Sequence, residues 1–537
     1  MSRSGTYDLW CTWRAKDVKR IDRFILLVLT VAGTIAIFSF ADWWFREEHI
    51  ANYPMFVILS LFFWYSTFRI ILIWVNYLFI HKPVDVPLPE EGLRVAIFTT
   101  SAPGEPLSMF EKTFEALNNV EYPHTTYLLD STQDLSFREL AERYGIKWLD
   151  LYGLPGAKAG KINAALKQTS EDFILILDPD HIVFPNFLHE TLGFFKDEKV
   201  GFVQVSQGYY NQYRSFTAKG AAEQTYTFYG PTQMGLNGNN CAVAIGANCT
   251  FRRKALESIG GHAQGLAEDL LTSIRIHAAG WKSVYNPVIV SRGLVPEDLG
   301  SFCNQQLKWA RGVFEVLFTE LPKVFKKLTF WQKVTYGSIG TYYLVGFTTS
   351  FFMFIPFLYF FTGIIPGRMS FVDFVIKGSF ILLIASLIYA YVQKFMSHPQ
   401  SERGFHWRGM ILKYSCWSVY FWGFILSLAD MKIPYNPTSK TAIKRITAYV
   451  KPMIIYCVLF LITVTAVFIN RRFFIPESEL LFTAEKVWGM VGFSFLAFIQ
   501  SLGGIYAARE AKRLTVEDPW RKIDISKLKY NYKKSET

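Results

Sequence analysis

Six runs of apolar residues constrain this chain more than any other feature, because each approaches the length of about 20 that a helix needs to cross a bilayer. They fall at roughly 24–45, 54–80, 336–365, 371–395, 452–470 and 487–507. A seventh stretch, about 409–429, carries Lys413 early, Trp417, Tyr420 and Trp422 within it, and Asp430, Met431 and Lys432 just after it. That pattern suits a helix lying in the membrane interface better than a span. About 250 residues of ordinary globular composition separate the second run from the third. The pattern predicts a membrane protein with one inserted soluble domain, and 51% hydrophobic and 17% aromatic residues agree with it.

The charges predict an orientation. Arg14, Lys16, Lys19, Arg20 and Arg23 precede the first run, and Arg509, Lys512 and Arg513 follow the last. Lys394, Arg403, Arg408, Lys440, Lys444, Arg445 and Lys451 lie between the fourth and fifth, whereas the opposite loops are short and poorer in basic residues, though Arg46, Arg368, Arg471 and Arg472 fall there. The positive-inside rule then puts both termini and the soluble domain in the cytoplasm, on a multi-pass protein of the cell (inner or plasma) membrane. The formal net charge of +12 is read as this bias plus attraction to anionic lipid of the bilayer, with no nucleic acid as partner. The first run is too long for a signal-peptide core and reads as uncleaved. Six cysteines without a C-x-x-C pair fit a reducing compartment and argue against a zinc or redox site.

In the soluble part, β-type runs at 94–102, 125–132, 172–180 and 200–207 alternate with helical patterns such as "GEPLSMFEKTFEALNNV" and "KINAALKQT". The alternation predicts an α/β fold, a mainly parallel, Rossmann-like sheet with helices on both faces. Ligands of such sheets bind beyond the carboxyl ends of the strands, where Asp130 and the pair Asp178 and Asp180 stand. The stretch "FILILDPDHIVFPNF" passes from a buried strand into Asp178-Pro179-Asp180-His181. This is an ordinary turn sequence, but its carboxylates are also the hard ligands that suit Mg2+ or Mn2+ alongside substrate phosphates. Similar dual readings attach to three other motifs. "KAGK" (158–161) offers lysines for phosphate oxygens or merely a solvated surface. "GLAEDLLTSIRIHAAGW" (265–281) opens a helix with Glu268 and Asp269, acids that also complement a helix dipole. "QQLKWARG" (305–312) sets amides, a cation and a tryptophan together, or anchors the chain at the membrane surface.

Taken in order, Asp130, K-A-G, D-x-D-H, "FVQ", "GANCTFRR", "AED" and "QQLKW" resemble the membrane-embedded processive family-2 glycosyltransferases. These include bacterial cellulose synthase, mixed-linkage glucan synthases, hyaluronan synthase and chitin synthase. The resemblance covers about residues 20–510 and implies a cytoplasmic GT-A glycosyltransferase domain inserted between about six spans. It divides the chain into 1–81 (N-terminus and two spans), 82–300 (the GT-A domain) and 301–335 (amphipathic interfacial helices with QQLKW). Residues 336–508 would follow as channel helices, with an interfacial helix and gating loop at about 409–445, and 509–537 as a cytoplasmic tail. The chain ends about 30 residues after its last span, which leaves no room for the cyclic-dinucleotide-binding domain fused to many cellulose synthases.

Residue by residue, the resemblance implies a donor site of Ala102, Pro103, Glu105, Asp130, Lys158, Asp178 and Lys308, with Ser131 where the family has a second Asp. Asp178, Asp180 and His181 would hold Mg2+ or Mn2+. Asp269, beside Glu268 and with Ala267 in place of Thr, would be the catalytic base. Trp309, Gln305 and Cys249 would face the acceptor, and Lys308 stands where the family carries arginine, losing its two-pronged contact. "IPYNPTSKTA" (433–442) resembles the F-x-V-T-x-K gating loop, with Tyr435, Thr438 and Lys440 matching and Pro437 replacing Val. The implied activity is inverting transfer from a UDP-sugar to a growing polysaccharide. "GANCTFRR" and "VQVSQGYYN" favour a β-glucan made from UDP-glucose, whereas Q-Q before the lysine echoes hyaluronan- and chitin-type synthases using UDP-GlcNAc. Accessory export subunits are not specified by the sequence. Two rival readings are a non-processive lipid glycosyltransferase, which would lack the tryptophan motif and gating loop, and a transporter or receptor that merely binds a nucleotide.

Overall fold

The computed structural model describes residues 10–83, 85–433, 448–473, 484–514, 520 and 523–528. Six helices among them are long and apolar enough to cross a membrane: Arg20–Trp44, Tyr53–Leu78, Phe330–Thr362, Phe371–Phe395, Ala448–Ile469 and Val487–Ala511. All six expected runs are there. The third begins earlier than its hydropathy suggests because Thr329 caps it. The Thr329 hydroxyl accepts from the Gln332 amide at 3.3 Å, and the Gln332 side chain accepts from the Thr329 amide at 3.0 Å.

The seventh stretch is a broken helix. Trp407–Ser415 and Trp417–Leu428 meet at a 45° bend. The second half lies on the helix Leu299–Glu315 so closely that a Cβ on Gly423 would sit 2.9 Å from Ala310 Cβ. The buried Arg311 locks the two together, donating to the Met431 carbonyl at 3.1 Å and to Ser427 Oγ at 3.4 Å. The expected gating-loop residues Tyr435, Thr438 and Lys440 lie outside the described residues.

Between the second and third spans the chain builds a seven-stranded sheet: β1 (Val95–Thr100), β2 (Thr125–Asp130), β3 (Lys147–Asp150), β4 (Phe173–Leu177), β5 (Val200–Val205), β6 (Cys249–Arg252) and β7 (Lys282–Asn286). Their order is β7-β5-β6-β4-β1-β2-β3. β1 pairs parallel with β2 and β4, β2 with β3, and β5 with β7, while β6 runs antiparallel to both β4 and β5. The sheet is therefore mainly parallel, as its alternating pattern predicts, with one reversed strand. That reversal matters for function. It brings the residues just before β6 to the edge where β1, β2, β4 and β5 end.

Described segments near both termini pack on this domain. Trp13–Arg14 pairs antiparallel with Val288–Ile289, and Arg14 forms an ion pair with the buried Glu190 and donates to Asn286 Oδ1 at 3.1 Å. At the other end Trp520, Ile523 and Ile525 are buried in the same apolar cluster as Phe110, Phe114 and Leu117 of the helix Leu107–Asn118.

Candidate active site

The turn after β4 is both of the things its sequence allows. The His181 amide donates to the Asp178 carbonyl at 3.1 Å, closing a four-residue turn with Pro179 in its favoured second position. The same turn brings one ligand atom each of Asp178, Asp180 and His181 within 4.8 Å of one another. Two carboxylates on a rigid turn, one buried and one at the rim of a cleft, are a donor set that fits a hard divalent cation. His181 lines the same cleft but is largely covered. It is 4% exposed, and its Nδ1 lies 3.2 Å from Asp180 Oδ1 and its Nε2 2.7 Å from Gln207 Nε2.

Lys158 ties this turn to the reversed strand. Its buried ammonium donates at 2.5 Å to Asp178 Oδ1 and at 2.5 Å to the Gly246 carbonyl. Burial works against the charge, but Asp178, Glu268 and Asp269 outweigh it and hold the Lys158 pKa above its usual value. The glycine of K-A-G has a steric reason to be there, since a Cβ on Gly160 would lie 1.9 Å from the Pro155 carbonyl oxygen. Ala157, just before Lys158, has φ of 49°, a left-handed conformation that costs a non-glycine residue about 1 kcal/mol or more.

The Gly246 loop is held by one residue that the sequence reading did not single out. Gln204, fully buried on β5, donates to the carbonyls of Val205, Ala247 and Asn248 at 2.9, 3.0 and 2.9 Å and accepts from the Ile245 amide at 3.1 Å. Its signal was present in "FVQ", but not its role. Across the loop stands Asp269, so near that a Cβ on Gly246 would be 3.4 Å from Asp269 Oδ2. Asp269 and Glu268 open the helix Glu268–Ala278, and Asp269 Oδ1 accepts from the Leu270 amide at 2.8 Å. Burial raises both carboxyls above the ordinary range, Glu268 further because of the adjacent Asp269, while Lys158 and Lys308 pull both down. Asp269 is the more exposed of the two, and it is the one facing Gly246.

The loops after β1 and β2 are organised around Asp130. Its carboxylate is buried and accepts from Ser101 Oγ, from the Thr132 amide and hydroxyl at 2.9 and 2.8 Å, and from Trp148 Nε1 at 2.9 Å. The structure thus shows Asp130 fixing these loops. Glu105 folds back onto its own turn, accepting from the Ala102 amide at 2.9 Å, and Pro103 lies between them. Lys161, the second lysine of "KAGK", donates to the Ser101 carbonyl at 2.6 Å and feels the charges of Glu105 and Asp130.

Opposite the acids runs the helix Leu299–Glu315. Phe302, Gln305, Gln306 and Trp309 recur at helical spacing on one face and line a cleft that also contains Asp178, Asp180 and Gln207. Trp309 is 38% exposed, a flat apolar face open to the cleft. Gly312 on the same helix would clash with the Ala267 amide at 2.8 Å if it carried a Cβ, so this helix abuts the start of Glu268–Ala278. One expectation needs correction. Cys249 does not face an acceptor: it pairs with Ile176 and Gln204 in the sheet, and it shares with Phe251 the strand face buried in the core.

The mainly parallel sheet thus carries a D-x-D turn, a lysine bridging that turn to the loop before the reversed strand, and an acid pair facing the same loop. The chain belongs to glycosyl transferase family group 2, whose model matches residues 173–470. It is a GT-A glycosyltransferase joined to apolar membrane helices, a multi-pass membrane enzyme. Among curated proteins it is similar to the UDP-forming cellulose synthase catalytic subunit of Pseudomonas fluorescens, 28% identical over 284 residues, which are 51% of this chain and 38% of that one. The corresponding subunit of Xanthomonas axonopodis pv. citri is 30% identical over 275 residues, 49% of this chain and 38% of that protein. The similarity therefore spans well under half the length of these relatives. Among solved structures, a mannosyltransferase from Pyrobaculum calidifontis in complex with GDP-Man and Mn2+ gives a TM-score of 0.49 at 16% identity, covering 71% of this chain and 99% of that one.

Proposed function

We propose that this enzyme is a processive, inverting synthase that moves glucose from UDP-glucose to the non-reducing end of a β-glucan and passes the polymer out through its own membrane helices. The observation that carries the reading is continuity. The cleft runs from the acids of the D-x-D turn to the exposed Trp309, on a helix packed directly against the broken helix Trp407–Leu428 of the membrane part. The similarity to UDP-forming cellulose synthase subunits supports the choice of donor and product. The basic residues flanking the spans support a cytoplasmic domain in the cell membrane.

In this reading Trp309 stacks on the terminal sugar of the acceptor, and Gln305 sets its orientation from the same helical face. Asp269 takes the proton from the acceptor hydroxyl as that oxygen attacks the anomeric carbon, so a single displacement inverts the α-linked donor. Lys158 and Lys308 meet the negative charge of the departing diphosphate. A divalent cation, Mg2+ or Mn2+, held by Asp178 and Asp180 supplies further charge neutralisation there.

Incubating the purified protein with radiolabelled UDP-sugars tests the reading. A long glucanase-sensitive polymer is expected from UDP-glucose. Excess EDTA should abolish it, and added Mg2+ or Mn2+ should restore it. A polymer from UDP-GlcNAc, a labelled lipid, or full activity in chelator would each replace part of the proposal.

The environment of Asp269 also predicts a pH dependence. A base works only when ionised, and burial raises the pKa of this one, so kcat/KM should climb with pH at values above the ordinary aspartate range near 4. Lys308 lowers that pKa. Lys308→Met should therefore move the acid limb to higher pH, besides slowing turnover. A limb that stays in place would mean that Lys308 does not act on the base.

A further inference from the structure

Two cations meet in the membrane part, on either side of one tyrosine. Arg69 lies on the span Tyr53–Leu78, about 14 Å of helix from the end that enters the soluble domain. Its guanidinium stands 5.5 Å from the centre of the Tyr342 ring. The Lys413 ammonium, from the helix Trp407–Ser415, stands 4.9 Å from the same ring. Arg69 Nη1 also donates to the Ser338 carbonyl at 2.7 Å and to Thr341 Oγ1 at 3.3 Å. Those bonds hold the side chain but bring no negative charge. Among the described residues no carboxylate lies within ion-pair distance of either cation, and the charged neighbour that acts on Lys413 is Arg69, which repels it. Residues 434–447, which follow the broken helix, contain no Asp or Glu in their sequence.

Unbalanced charge among membrane helices is costly, and residues that carry it mark sites of function. Contact with the tyrosine face offsets part of that cost, but a phosphate placed between the two cations would remove the rest. The surroundings show where such a phosphate can come from. Phe68, Ile70 and Ile73 beside Arg69, and Met410 one turn before Lys413, are each at least 36% exposed, so acyl chains can lie against this place. A sugar hydroxyl brings no charge and would leave both cations as they are. We propose that Arg69 and Lys413 form a site for the phosphate of an anionic phospholipid, drawn from the leaflet beside the soluble domain, with Tyr342 as its floor. The long stems of both side chains suit them to reach a headgroup from within the apolar layer. The bound lipid ties the span Tyr53–Leu78 to the helix Phe330–Thr362 and to the broken helix Trp407–Leu428.

The probe is dioleoyl phosphatidylglycerol, added to the full-length protein in non-ionic detergent micelles and counted by native mass spectrometry. Wild type should retain it in preference to dioleoyl phosphatidylcholine, whose headgroup would add a third cation to the two present. Equal retention of the two lipids would overturn the proposal, and this comparison needs no variant. Excess inorganic phosphate should leave the lipid in place; displacement would assign the cations to a soluble anion instead. Arg69→Gln combined with Lys413→Met should weaken retention about 25-fold, at about 5-fold for each basic residue near a bilayer surface. Phosphatidylglycerol should also raise the melting temperature of wild type and not that of the double variant. An equal rise in both would overturn the site. Unchanged retention in the variant, with polymer synthesis lost, would assign the two cations to the path of the product and not to a lipid.

Discussion

Asp269→Asn should bring polymer synthesis below detection while leaving UDP binding intact. Asparagine keeps the size of the side chain and can still accept from the Leu270 amide, which Asp269 Oδ1 does now at 2.8 Å. What it cannot do is take a proton, and general-base catalysis contributes roughly 100-fold to 10,000-fold in rate. The donor side remains whole, because Lys158 still reaches Asp178 and the Gly246 carbonyl. The simpler role for an acid in the first turn of a helix predicts another result: losing that charge costs about 0.3 to 1 kcal/mol of stability and spares turnover. UDP affinity by calorimetry and transfer by radiolabel, on one preparation, decide between them. Glu268→Gln serves as the partner variant. Normal transfer there with none in Asp269→Asn assigns the base to Asp269, and the reverse pattern assigns it to Glu268.

Gly160→Ala should weaken donor binding by disturbing Lys158. A methyl group placed 1.9 Å from the Pro155 carbonyl cannot be accommodated by a side-chain rotation, since the obstacle is backbone. Either the 155–160 turn opens or the helix Ala157–Gln168 shifts, and in both cases Lys158 leaves Asp178. Overpacking of this kind costs about 1 to 3 kcal/mol, and borne by the donor site it weakens UDP binding roughly 5-fold to 150-fold. A melting temperature close to wild type would localise the loss to the site. Unchanged UDP affinity would show that the position of Lys158 does not matter to the donor.

Much of this architecture was legible in the sequence, for reasons that differ from one element to the next. The membrane helices declare themselves because about 20 apolar residues have few other uses. β1, β2, β4 and β5 were readable as short apolar runs stopped by polar residues, and the acids at their ends followed from the geometry of parallel sheets. β6 was not readable, for "CTFR" is four residues long, and its neighbours looked like a binding motif. That explains the misplacement of Cys249: a motif says that a segment is near a site, whereas the period-2 alternation of a strand decides which of its residues see the site. β3 and β7 were missed for their shortness and their polar residues. The hydrogen bond between Gln207 and Asn248 was hidden for another reason. The two are 41 residues apart, and an amide shows no preference for a partner until the fold supplies one.

The packing of segments near both termini against the soluble domain bears on what counts as the catalytic module. A fragment cut at the apparent domain limits would bare the edge of Val288–Ile289, strip Arg14 from the buried Glu190, and open to water the apolar surface now covered by Trp520, Ile523 and Ile525. The packed domain is therefore discontinuous in sequence, with Trp13, Arg14, Trp520, Ile523 and Ile525 joined to the segment between the second and third membrane helices. During synthesis the ribosome delivers its final piece only after the last membrane helix has emerged. Trp520, Ile523 and Ile525 thus reach the domain only once every described membrane helix has been made.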